Sequence, residues 1–222
     1  MKKLAGQIAG YETDWILRVS LSILFIFLLL GSAMSQDVRT PPTEEHYELS
    51  WEATLKMTNL KFTMPHNYNI IKMAQCNFGT WTCKARHNTF FNRVIMNADS
   101  SVVIGVQIFS NGVKPRDQSG QIISKKIDWI KSAKIVLGNR MDTSTGYIDM
   151  DKALLNKNWG AIYGVKFDKG KCDGPYLGKS NNKHLLIASE DTQILIVYFY
   201  SDDFKDRIDS EVDKTIGLLL KN

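Results

Sequence analysis

Chemistry-bearing residues are scarce in this chain. Its 222 residues include four histidines, and no two of them stand four apart, so a histidine metal face on a helix is excluded. It has three cysteines. None are two residues apart, which excludes the C-x-x-C redox motif. Cys76, Cys83, His87 and Cys172 also lack the short first spacing that grips zinc from one turn. No asparagine opens an N-x-Ser/Thr sequon, a feature that favours a bacterial envelope over a eukaryotic secretory route. No apolar run reaches the roughly 20 residues of a spanning helix. The longest, Trp15 to Leu30, is sixteen residues long and holds Arg18, Ser20 and Ser22.

Apparent motifs fail on their geometry. GPYLGKS (Gly174 to Ser180) has three residues, not four, before its GK pair, and one of the three is Pro175, which has no N–H to offer a phosphate. Cys172 and His184 lack the flanking signature of a nucleophile and its base, and read as a loop thiol and a strand-edge histidine. The carboxylate pairs Asp149/Asp151, Glu190/Asp191 and Asp202/Asp203 are neighbours at turns and helix starts, where Asp caps backbone N–H groups. They are not two acids held across a cleft. Charge is mildly basic, with 28 Lys+Arg against 23 Asp+Glu. The densest basic spot, Lys125-Lys126 with Lys131 and Lys134, reads as a solvated helix face. No basic stripe is interleaved with aromatics, so nucleic acid is not an expected partner. No metal, cofactor or catalytic residue is implied.

The N-terminus does carry a signal. Lys2 and Lys3 open the chain, Val19 to Leu30 is apolar, and Ala33 and Ser35 form a small-x-small exit, which places cleavage between Ser35 and Gln36. An uncleaved anchor is the alternative, and it is the only membrane contact expected. The reading is a signal peptide over 1–35, a flexible lead over 36–45 and one domain over 46–222, exported to the periplasm or beyond. In such an oxidising space Cys76 and Cys83, which bracket the short loop CNFGTWTC, are expected to pair as a disulfide, with Cys172 left as a buried free thiol or replacing one member of the pair, since three cysteines allow three single bridges. Trp81 within that loop is the aromatic expected to be partly exposed; the favoured reading is that it caps the core, and the alternative is a recognition tip. Tyr176, in the loop Lys169 to Asn182, is the second candidate contact residue.

Apolar periodicity sets the expected elements. Tyr47, Leu49, Trp51, Ala53, Leu55 and Met57 alternate and read as a strand, with Leu60 to Met64 continuing it until Pro65. A short helix is expected around Ile70 to Gln75. Phe90–Met96 with Val102–Phe109, and Lys183–Ala188 with Gln193–Tyr200, read as hairpins. Helices are expected over Gln121–Leu137 and Met150–Asn156. Trp159 to Phe167 reads as a strand. A last helix starts on Asp202, Asp203 and Asp206 and carries a stripe from Phe204 to Leu219. Trp51, Trp129 and Trp159 are assigned to the core. Short turns between successive strands demand antiparallel pairing. The fold class is therefore α+β, a single antiparallel sheet covered by helices in a two- or three-layer sandwich.

KFTMPHNY (Lys61 to Tyr68) resembles the strand-Pro-x-x-aromatic opening of the PsbP/Mog1-like families. The hairpin KHLLIASEDTQILIVYFY and the closing DDFKDRIDSEVDKTIGLLLK resemble them too. That resemblance implies an antiparallel sheet between helices and a protein that binds partners and does not catalyse. The leading expectation is an exported, non-catalytic binding or assembly module whose partner is a protein or an envelope component. The alternatives are an envelope hydrolase with a site built from distant loops, and a membrane-tethered accessory domain.

Overall fold

The run Ile194 to Tyr200 (ILIVYFY) is buried throughout, and a strand buried on both faces needs a layer on each side. In the computed structural model, which describes residues 42–82, 88–110, 147–168 and 174–222, this run is the centre of a seven-stranded sheet. The elements are α1 (Glu44–Thr58), β1 (Leu60–Phe62), β2 (Tyr68–Ile70), β3 (Thr80–Thr82), β4 (Asn88–Phe90), β5 (Arg93–Asn97) and β6 (Val102–Ser110). They continue with β7 (Tyr147–Asp149), α2 (Lys152–Trp159), β8 (Tyr163–Asp168), β9 (Asn181–Ala188), β10 (Thr192–Tyr200), α3 (Ile208–Thr215) and β11 (Leu219–Lys221). The large sheet runs β2-β5-β6-β10-β9-β8-β7, and every pairing in it is antiparallel. β1 pairs with β11, and β3 with β4, in separate two-stranded ribbons. Residues Thr43–Asn222 form one compact unit.

Alternate residues divide the core. One face carries Ile104, Leu185, Ile196 and Tyr198, and packs against Trp51 of α1, Leu155 of α2 and Val212 of α3. The opposite face carries Val103, Leu186, Val197 and Phe199. Among the described residues this second face is covered by loops. They contribute Cys76, Trp81, Phe91 and Tyr176, with Tyr47 of α1 half-buried at the margin. The α+β class and the hairpins β5–β6 and β9–β10 agree with the periodicity.

Four elements differ from it. Residues 44–58 are a helix, not a strand. The Thr43 hydroxyl accepts from the His46 N–H, Glu44 and Glu45 fill the first turn, and Asn59 ends the helix at φ 53°. Tyr47, Trp51 and Leu55 satisfy a period of two and a spacing of four alike. The outliers decide between them: Leu49 and Met57 are 60% and 61% exposed. The bidentate Arg93–Glu48 pair (2.5 and 2.7 Å) then docks the helix, with the guanidinium 5.0 Å over the Trp51 ring. That hydrogen bond holds the Glu48 carboxyl below its usual range. Second, Trp159 closes α2 and does not open a strand: Gly160 turns the chain at φ 59°, and β8 begins at Tyr163. Third, the last helical stretch is broken into a 3-10 turn (Asp202–Arg207), α3, and a second 3-10 turn (Ile216–Leu218). Leu219 then enters β11, where its carbonyl accepts the Trp159 indole N–H at 2.6 Å. The helix expected around Ile70 to Gln75 forms later, as a 3-10 turn over Met73–Gly79.

The signal over 1–35, its cleavage at Ser35/Gln36, the helix Gln121–Leu137 with the lysines near it, and Trp129 lie outside the described residues. No helix among the described residues is long and apolar enough to cross a membrane.

The two readings of residues 44–58 separate in a stability experiment. Trp51→Ala is expected to lower unfolding stability by about 3–5 kcal/mol. Leu49→Ser should stay within about 0.5 kcal/mol. Urea titration of both variants checks this, because a strand would bury Leu49 and Trp51 on one face and give comparable losses.

Candidate functional site

The loop layer converges on one aromatic centre. The 3-10 turn Met73–Gly79 ends in three successive residues with left-handed backbone, Asn77 (φ 52°), Phe78 (φ 51°) and Gly79 (φ 70°). Gly79 is required there, since an added Cβ would stand 2.4 Å from the Phe91 carbonyl oxygen. That same carbonyl belongs to a residue whose N–H donates to Gly79 O at 2.9 Å. The turn feeds β3, whose middle residue, Trp81, faces inward.

Trp81 stands edge-on to Phe199 at 4.7 Å and stacks on Phe91 at 6.3 Å. Its indole N–H donates to Gly174 O at 2.9 Å, which pulls the second loop in. Tyr176 lies in that loop, 4.8 Å from the Phe199 ring and 5.6 Å from Phe91, and its hydroxyl donates to Cys76 O at 3.0 Å. Phe91 itself lies over Gly105 of β6, where a Cβ would come within 2.7 Å of the ring. The two loops and the β3–β4 ribbon are thus bonded to one another through buried side chains.

The expected exposure of Trp81 is therefore corrected: it is 1% exposed, and Tyr176 is buried as well. Both hold the loops from beneath, for the same physical reason. A large ring with a single polar atom is stable in the interior once that atom is paired. Their neighbours face outward. Phe78 is 39% exposed, Phe90 on β4 56% and Leu177 37%. Leu177, like Phe78, has left-handed backbone, with φ 45°. A bulky residue in that region costs roughly 1–2 kcal/mol relative to Gly. Such apolar, strained and exposed positions were missed by periodicity. The signal that could have found them is local: Phe78 stands between Asn77 and Gly79, and Leu177 precedes Gly178, all residues that favour left-handed turns.

Cys76 is a buried free thiol. Its Sγ lies 3.5 Å from the Met73 carbonyl oxygen and 3.9 Å from the Met73 sulfur. Burial pushes its pKa up, and also raises the Tyr176 phenol. Cys83, Cys172 and His87 lie outside the described residues, so no bond from Cys76 to Cys83 is described. His184 is not at a strand edge. It is buried within β9, stacked on Phe167 at 4.7 Å with the rings 3° apart, and 5.8 Å from Trp81. Asp149, Asp151, Glu190, Asp191, Asp202 and Asp203 remain at element ends; Asp151 caps α2 through the Leu154 N–H at 2.8 Å. No group of three or more metal-ligating side chains occurs among the described residues.

No family model matches the chain, and no curated protein does. Among solved structures the chain is similar to cyanobacterial PsbP (CyanoP) from Synechocystis sp. PCC 6803, determined in solution. The two share 9% identity over 74% of this chain and 88% of that one, with a TM-score of 0.38. This is a weak, fold-level resemblance, and no residue role is taken from it.

Two outcomes test the buttressed loops. Tyr176→Phe strands the buried Cys76 carbonyl and is expected to cost about 1–3 kcal/mol, whereas Phe78→Gly should be neutral or stabilising because it releases the left-handed strain. Stability should also fall on the alkaline side. Cys76 and Tyr176 titrate above their ordinary values when folded, so only the unfolded chain releases these protons. The stabilisation is complete below the thiol's ordinary 9.0 and is lost above it for Cys76 and above the phenol's ordinary 10.0 for Tyr176, at about 1.4 kcal/mol per pH unit per group. Urea midpoints for the wild type and Cys76→Ser across that range check the sign.

Proposed function

We propose that the chain is an exported binding or assembly module of the bacterial envelope, with Phe78, Phe90 and Leu177 as its contact residues. The carrying observation is the left-handed backbone at two of these three exposed apolar residues, on loops fixed by the Trp81 and Tyr176 hydrogen bonds. Anchors held rigidly lose little entropy on binding, and a few apolar residues of this kind dominate the energy of a contact. His184 is buried and stacks on Phe167.

Export rests on the basic start, the apolar run Val19 to Leu30 and the Ala33-x-Ser35 exit. In a periplasmic or secreted setting the Cys76–Cys83 bridge belongs to the same reading, and its formation would convert the buried thiol described here. Intact-mass measurement of the native protein, reduced and unreduced, is expected to give a chain that starts at Gln36 and is two hydrogens lighter per bridge. A chain that retains residues 1–35 with all thiols free overturns export with cleavage. For the contact surface, a photo-cross-linking residue at position 78 or 177 should capture an envelope component in intact cells. The same residue at Ile148, which is equally apolar and 70% exposed, should not. Equal yields at all three positions count against the surface.

A further inference from the structure

We infer that the outer face of α1 is an interface between two copies of this chain, paired antiparallel about Ala53. The inference goes beyond the contact reading above and uses none of its residues. Within the 15-residue helix Glu44–Thr58, Leu49, Ala53 and Met57 follow one another at a spacing of four, which sets them in one line along the surface. Trp51 is two residues from Ala53, about 160° around the helix, so the line stands opposite the side chain that docks α1 on the sheet. Leu49 is 60% exposed and Met57 61%, and Ala53 is exposed between them. A helix that covers a core normally turns polar residues to this side. The small residue in the middle lets a second helix approach closely.

The charges beside the line point to a second copy as its occupant. Glu52 and Lys56 lie together on one flank, and Ser50 and Thr54 on the other. Both charged side chains are exposed, and neither has an ion pair or side-chain hydrogen bond among the described residues. When two helices pair antiparallel about a two-fold axis, like flanks meet; when they pair parallel, unlike flanks meet. With Ala53 on the axis, Leu49 of one copy packs on the partner's Met57. Lys56 then stands about 3 Å along the axis from the partner's Glu52, within a lysine's reach. The symmetry makes two such pairs, and the other flank brings together hydroxyls only. A parallel pair would set both charges against Ser50 and Thr54. The other outward ionisable groups of α1, Glu45 and His46, lie toward its N-terminus, beyond the level that the partner's Met57 reaches. Glu48 is on the inner side, paired with Arg93, and Glu44 accepts the Met73 N–H. A lipid surface suits this face less well, because Glu45 and Glu52 would meet anionic headgroups. The line is small against the roughly 800 Å² per copy of a stable interface, so the pairing is reversible and rises with concentration.

The test is sedimentation velocity of the full chain at concentrations up to about 0.5 mM, where so small a contact becomes populated. Val19 to Leu30 is common to every variant, so differences between variants are read. Ala53→Glu sets two acids against each other on the axis and is expected to weaken dimerisation at least about tenfold. Lys56→Glu and Glu52→Lys should each weaken it about fivefold. The double exchange Glu52→Lys with Lys56→Glu restores opposite charges across the axis and should return to within about twofold of the wild type. Equal mixing of the two single variants should favour the mixed dimer. Circular dichroism and a urea midpoint confirm that each variant is folded; if Ala53→Glu is not, Leu49→Ser replaces it. A wild type that stays monomeric overturns the inference, as does undiminished association of the folded Ala53→Glu or Leu49→Ser variant. So does a double exchange that fails to restore dimerisation, because the charges then do not set the pairing. Ala53→Glu that destabilises a monomer shows the line covered by the chain's own residues, which also overturns it.

Discussion

Strand β10 is bonded on both sides and buried on both faces, and every other element is arranged to satisfy it. Its register with β6 runs from Thr192↔Ser110 to Tyr200↔Val102, and with β9 from Gln193↔Ala188 to Tyr200↔Asn181. With its backbone satisfied in this way, the remaining demand is for cover over two apolar faces. Ile194, Ile196, Tyr198 and Tyr200 turn to the face under the helices. Leu195, Val197 and Phe199 turn to the other. The two layers solve the same problem by different means. Helices cover one face with aliphatic stripes. On the other, loops must supply rings, because an irregular segment offers few side chains per unit area and each has to be large.

That difference explains what could be read from the amino acids. The hairpins β5–β6 and β9–β10 were legible because their alternation is strict and their turns are short. The fold class followed from them. The helix at Glu44–Thr58 was not legible from alternation, since residues four apart also lie two apart twice over. Its ends carried the deciding information in Thr43, Glu44, Glu45 and Asn59. Trp159 misled for a related reason: it is apolar and in phase with Ala161 and Tyr163, yet Gly160 breaks the chain between them.

The loop layer was legible in location and not in orientation. Trp81 and Tyr176 lie in the two loops that the sequence singles out, but an aromatic in a loop carries no mark of which way it points. Here orientation is set by long-range hydrogen bonds, from Trp81 to Gly174 and from Tyr176 to Cys76, that join residues 93 and 100 positions apart. No local pattern encodes such a bond. The backbone strain at Phe78 and Leu177 is the counterpart of that fixing. Once the buried rings are tied down, their neighbours have no freedom to turn inward.

Gly105 has a wider role than the space it leaves for Phe91. It sits opposite Val94 on one side and Val197 on the other, so the hollow occurs at one position in the run from Val102 to Ser110. If β6 slid by two positions against its neighbours, Val103 or Gln107 would come beneath the ring, and their side chains would lift it from the surface. The glycine and the phenylalanine therefore work as a notch and pawl for strand alignment. They penalise mispaired states that hydrogen bonding alone would tolerate nearly as well as the native one.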